Sequence, residues 1–153
     1  MDNKKSIAVL NKLIVINNDR IEGYETASKE TDETDLKRLF AQLASTSREC
    51  KAELLYEVEQ LGGDPEEGTK TTGKFFRAWM DVKAALMGKD RKAILNSCEF
   101  GEDAAVNTYK KVMENDSEFL SNDQLSLIEE QYTLIRADHD MVRNLRDSLV
   151  ESE

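Results

Sequence analysis

The chain has 153 residues, with 21 basic and 31 acidic side chains and a formal net charge of −10. One proline, seven glycines and a charged fraction of 34% favour helix and leave few turn residues for a sheet. An acidic surface of that size opposes phosphate backbones and anionic lipid, so nucleic acid and membrane are not expected partners.

The length suits one domain, residues 1–153, able to bury a core without staples. The opening "MDNKKSIAVLNKLIVINN" sets Lys4 and Lys5 before an apolar run, as a signal peptide does. Asn11 and Lys12 interrupt the run and no small-residue cleavage site follows. No stretch approaches the ~20 apolar residues of a membrane span. The expected location is therefore the cytoplasm.

A first long helix is predicted from about Lys4 to Ser28, with Ile7, Leu10, Ile14, Asn17, Ile21 and Tyr24 along one face. "KETDETD" breaks it, and Thr34 or Asp35 offers an N-cap oxygen for the second. That helix carries Leu36, Phe40, Leu43, Ser47, Cys50, Leu54, Val58 and Leu61, close to heptad spacing. "LGGDPEEG" ends it with a glycine cap and a proline just beyond. A short helix follows, rich in Phe75, Phe76, Trp79, Met80, Val82 and Leu86. The third long helix runs from about Asp90 to Asn115, with Ile94, Leu95, Cys98, Glu102, Ala105, Tyr109 and Val112 inward. The fourth starts near Asp123 and turns Leu125, Ile128, Gln131, Ile135, His139, Val142, Leu145 and Leu149 inward. Cys50 and Cys98 on these faces read as small core hydrophobes rather than as a disulfide.

Short loops join the first helix to the second and the third to the fourth, so each pair must be an antiparallel hairpin. The connection 62–89 is different. Its irregular part alone can stretch ~36 Å, and its helix adds more than ~20 Å by rise. That spans a long helix of ~39 Å, so the second and third long helices are expected to run parallel. The predicted fold is an all-α, ferritin-like four-helix bundle with a long crossover that carries a short helix.

This topology lets heights be compared from a common end near Ser28, Asp35, Asp90 and Leu149. Asn18, Ser47, Glu102 and His139 all fall ten to twelve residues from that end. Glu22 and Glu99 sit slightly above, Glu49 and Glu53 below. The inner stripe thus turns polar at one level on all four helices. Unpartnered, each buried group would cost ~1–3 kcal/mol, so they need one another or a metal. One reading is a hydrogen-bonded layer in which Glu102 bonds to His139 and fixes register, so that Glu102→Leu leaves stability unchanged or raised. The other is a carboxylate and histidine metal site.

"LGGDP", "WMDVKAALMGKDRKAIL", "CEFGEDAA" and "ADHDMV" resemble the bacterial ferritin-like four-helix-bundle proteins of a domain family whose function is unknown. The resemblance runs from about Lys5 to Asp147, with Glu53, Trp79, Glu102, Asp103, Gln131, His139 and Asp140 at matching positions. It implies the bundle and its helical crossover, and no activity. Di-iron members of the wider class use two Glu-x-x-His motifs. This chain has one histidine, and Arg136 stands three residues before it, so that centre is not expected. The alternative metal site is mononuclear, binding iron, manganese or another divalent cation through Glu22, Glu53, Glu102 and His139.

No nucleophile motif, phosphate loop or dinucleotide fingerprint is present, and "GKD" lacks the glycine spacing of a phosphate loop. The reading leans away from an enzyme and needs no cofactor. It favours a non-catalytic bundle that binds or self-associates, in stress or maintenance physiology as the broad class suggests. The Trp79 helix is the candidate surface for a homo-oligomer.

Overall fold

A computed structural model describes residues 3–68 and 74–151, and within those the side chains of Lys74, Phe75, Phe76, Val150 and Glu151 are not described. Five α-helices and one 3-10 turn make up the regular structure, with no strand among the described residues. They are α1 (Asn3–Glu30), α2 (Thr34–Gln60), α3 (Lys74–Gly88), α4 (Arg91–Asn115) and α5 (Asn122–Glu151). The turn Ser117–Phe119 lies between α4 and α5.

Local chemistry sets the helix ends. The α2 C-terminus is a Schellman motif: Gly63 N donates to Val58 O and Gly62 N to Glu59 O, both at 3.0 Å. Gly62 has φ +76°, a left-handed conformation that glycine adopts without Cβ strain. Asp90 caps α4, accepting from Ala93 N at 3.1 Å. Ser121 and Gln124 form a reciprocal capping box at the start of α5. The expected cap on α2 is not made. Its N-cap is Glu33, without a side-chain bond, because the Asp35 carboxylate is drawn to Arg91 and to its neighbour Leu36 N.

Helix directions follow from the bonds that cross the bundle. Arg91, at the start of α4, pairs with Glu33 and Asp35 at the start of α2. Two helix N-termini therefore share one end, and α2 runs parallel to α4. Lower down, Arg20 of α1 meets Ser47, Glu102 and Asp138, while Asn17 and Gln131 meet Tyr109. Increasing numbers in α1 and α5 thus match decreasing numbers in α2 and α4. Each long helix packs on two others: α1 on α2 and α4, and α5 on α2 and α4.

The link after α2 climbs the outside of α1. Gly63 lies against Ile7, where a Cβ would come within 2.7–2.9 Å of the isoleucine side chain. Asn11 then donates to Asp64 O and accepts from Glu66 N, and Asn18 donates to Glu66 O and Gly68 O. From Ile7 to Asn18 a helix rises ~16 Å, which five extended residues also span. The chain from Gly63 to Gly68 is therefore nearly straight. α3 continues the climb and packs on α4 and α1.

The core joins the inner faces of α1, α2, α4 and α5, including Leu10, Leu13, Ile14, Phe40, Leu43, Leu54, Leu95, Ile128 and Ile135, with Val82 of α3 at its edge. The expected inward residues of α2 and α4 are buried, apart from half-buried Leu61. On α5 the expectation fails at Leu145, which is exposed, while Leu149, one turn further on, packs partly against the core. α1 is buried almost all round from Ile16 to Arg20, since α2, α4 and the climbing link surround it.

Candidate functional site

The polar level exists, and its centre is an arginine. Arg20 is fully buried, and its guanidinium makes a two-pronged contact with the equally buried Glu102. Nε donates to Oε2 at 2.9 Å and Nη2 to Oε1 at 2.7 Å. Nη1 donates to Ser47 Oγ, and Nη2 also reaches Asp138 Oδ2 at 3.2 Å. Tyr24 donates its hydroxyl to Glu102 Oε2 at 3.0 Å and stacks on Phe40. One guanidinium thereby ties all four long helices together.

The electrostatics follow from burial and pairing. Burial alone would make the Arg20 guanidinium easier to deprotonate, but Glu102, Tyr24 and Asp138 more than reverse this and hold it above its usual range. Burial, with the Glu102 charge, pushes the Tyr24 phenol well up, so it stays a neutral donor. Burial also raises the Asp138 carboxyl, against the pull of Arg20. The folded protein therefore holds the Asp138 proton more tightly than the unfolded chain. As pH rises from the ordinary carboxylate value through the raised one, this group takes stability away. Asp138→Asn removes that loss. Its stability relative to the parent is expected to grow as pH rises across that window, in urea melts at a series of pH values, and a constant difference counts against the assignment.

A second polar chain lies one turn lower. Asn17 Nδ2 donates to Tyr109 Oη at 2.9 Å, and Tyr109 donates to Gln131 Oε1 at 2.7 Å. Gln131 Nε2 then donates to Cys50 O at 3.1 Å and to Glu53 Oε1 at 3.3 Å. Both cysteines are free and buried. Burial pushes the Cys50 thiol up to about 12 and raises Cys98 too, which makes neither a ready nucleophile.

His139 is not in the belt. Its Nε2 lies 2.6 Å from Asp103 Oδ1 on α4, and its Nδ1 lies 3.1 Å from Asp140 Oδ1. The His139 bond, with Arg143 and Arg136 close by, holds the Asp140 carboxyl below its usual range. Glu99, one turn before Asp103, pairs with Arg146, which also binds Asp147 at 3.0 Å. Glu99, Asp103 and His139 each bring one ligand atom within 4.8 Å of the others, the one such group of three or more among the described residues.

The four residues read from sequence as metal ligands occupy four different environments. Glu102 is taken by Arg20, Glu53 is exposed beside Gln131, Glu22 faces solvent and His139 lies with Asp103. The level was right for Ser47 and Glu102 and one or two residues off elsewhere. Arg20 stands where Asn18 was expected, because Asn18 turns outward to hold the link. Asp138 stands where His139 was expected, because α5 turns His139 toward α4. Arg20 had a signal: it lies three residues after Asn17 and four before Tyr24, on the same stripe. The expectation for Glu102→Leu reverses accordingly, since it would strand a buried guanidinium.

The family model described as "Domain of unknown function (DUF2383)" matches residues 5–115, which spans α1 to α4 and most of the belt. The chain belongs to the DUF2383 family. The match ends before α5, so Gln131, Asp138 and His139 of this DUF2383 protein lie beyond it. No curated protein matches the chain. Among the described residues, no helix is long and apolar enough to cross a membrane.

Proposed function

We propose that this DUF2383 protein is a ferritin-like bundle that works by association through its outer surface, with no chemistry in its core. The observation that carries the reading is the guanidinium of Arg20. In di-iron bundles, carboxylates from facing helices converge at mid-bundle on metal ions. Here the convergent carboxylates, Glu102 and Asp138, converge on a cation that belongs to the chain itself. A fixed guanidinium offers no open coordination position and no redox chemistry. It holds four helices in register.

The part of the outer surface proposed for association is α3. Met80 and Met87, seven residues apart on this helix, are 50% and 81% exposed, while Val82 is buried and Trp79 packs partly against the core. Residues seven apart share a helix face, so the two thioethers form one adaptable apolar strip. The proposed occupant is the same strip of a second copy. Phe75 and Phe76, part of the expected docking surface, lie outside the described side chains.

Sedimentation equilibrium over a wide concentration range tests this. The parent chain is expected to populate a dimer that Met80→Lys with Met87→Lys shifts to monomer, with the thermal midpoint of the monomer unchanged. A parent that stays monomeric throughout, or a dimer untouched by both substitutions, removes α3 as the interface.

A further inference from the structure

The cluster at His139 differs from the belt in charge and in access. Glu102 and Asp103 are consecutive on α4 and so point about 100° apart. One faces Arg20, and the other faces α5 with its side chain 54% exposed. Glu99 and Asp103 are four residues apart and so share a helix face. His139 approaches that face from α5, with its ring largely buried. Three ligand atoms from two rigid helices therefore meet at a point that solvent reaches from one side.

The ring is also oriented. Nδ1 is held by the Asp140 carboxylate, which leaves Nε2 directed at Asp103. A histidine held through one nitrogen by a carboxylate and presenting the other is the arrangement that supports metal-bound imidazoles. One imidazole nitrogen and two carboxylates suit a borderline divalent cation, and three protein ligands leave at least one position free. Two carboxylate charges balance such an ion. Of the positive groups near the cluster, Arg146 pairs with the ligand Glu99, while Arg136 and Arg143 pair with Asp140 behind the histidine. Arg146 holds Asp147 at the same time, so it keeps a partner if Glu99 turns to an ion.

We infer that Glu99, Asp103 and His139 form a three-ligand divalent-cation site between α4 and α5, with Asp140 orienting the histidine and Arg146 competing for Glu99. The ion class is zinc, cobalt(II) or manganese(II). His139 binds through Nε2 as the neutral imidazole while Nδ1–H donates to Asp140. The site is distinct from the core belt, whose Glu102 and Asp138 are the chain neighbours of Asp103 and His139.

Calorimetric titration of the chelator-treated full chain with zinc chloride alone tests the assignment, with cobalt(II) absorption as a second readout. One saturable site per chain is expected. His139→Gln and Asp103→Asn should each weaken it at least tenfold, and Asp140→Asn severalfold. Arg146→Gln should tighten it severalfold, an effect that a generally damaged fold does not produce. Circular dichroism melts establish that each variant is folded. If His139→Gln unfolds, Asp103→Asn decides, because its side chain is half in solvent. No saturable binding, or an affinity unchanged by the ligand substitutions, overturns the site. Weaker binding in Arg146→Gln overturns the competition. Met80→Lys with Met87→Lys should leave zinc affinity alone, so the outcome here is independent of self-association through α3.

Discussion

Arg20→Met is expected to lower the free energy of unfolding by about 3–5 kcal/mol, because it leaves the Glu102 carboxylate buried without its counter-charge. For a chain of this length that corresponds to roughly 6–20 °C in thermal midpoint. Glu102→Leu should fall by a similar amount, for the mirror reason: the guanidinium keeps Asp138 and Ser47 but loses its two-pronged partner. The double variant Arg20→Met with Glu102→Leu should recover much of the loss. Taking both charges out of water costs several kcal/mol per ion, and two apolar groups of similar volume avoid that cost. Recovery will be incomplete, since the Tyr24 hydroxyl loses its bond to Glu102. Chemical denaturation of the two single variants and the double gives the coupling energy directly. Additive losses would mean that the two residues do not act as a pair. A double variant more stable than the parent, but loosened in its near-ultraviolet dichroism, would show the pair acting on uniqueness rather than on stability.

Tyr109→Phe is the second large effect, expected to cost about 1–3 kcal/mol. The substitution keeps the ring volume, so packing is conserved and the loss comes from polar groups alone. Gln131 Oε1 loses its donor at the centre of the bundle, and Asn17 loses one of its two acceptors. Replacing Gln131 by Leu in the same chain should return part of this, because the stranded amide oxygen goes with it. A Tyr109→Phe variant as stable as the parent would mean that solvent reaches this level and the chain of bonds is not dry. Hydrogen exchange at the Cys50 and Leu54 amides would then be fast.

Much of the architecture could be read from period and length. The stripe from Leu36 to Val58 and the one from Ile94 to Val112 are unambiguous, because few other spacings place so many apolar groups together. The parallel course of α2 and α4 followed from counting residues in the crossover, and Arg91 beside Asp35 bears it out. The site was harder. Helix ends set the heights, and an error of one or two residues rotates a side chain by 100–200°. That is the difference between Asp138 in the belt and His139 on its flank. Arg20 is hard to place from sequence for a chemical reason: a long cationic side chain is normally at the surface, and only the pairing with Glu102, remote in sequence, makes its burial tolerable. The capping box Ser121–Gln124 is legible in "SNDQ" and starts α5 just ahead of Asp123. The group at Glu99 and Asp103 could not be read, since it depends on how α5 rotates against α4.

The split of the belt between the two halves of the chain bears on how the molecule assembles. Arg20 and Ser47 sit on the hairpin α1–α2, and Glu102 and Asp138 on the hairpin α4–α5. Each hairpin is a local structure that can form early, with its charges still hydrated. Their docking is the step at which a cation from one half and two acids from the other shed water together. A mispaired arrangement would dehydrate Arg20 opposite aliphatic side chains, which penalises wrong registers before side chains lock. The same pairing gives the two halves a means of recognising each other if the polypeptide is cut between Gly62 and Lys74: fragments made separately should reassociate, and Arg20→Met in the first should weaken that reassociation.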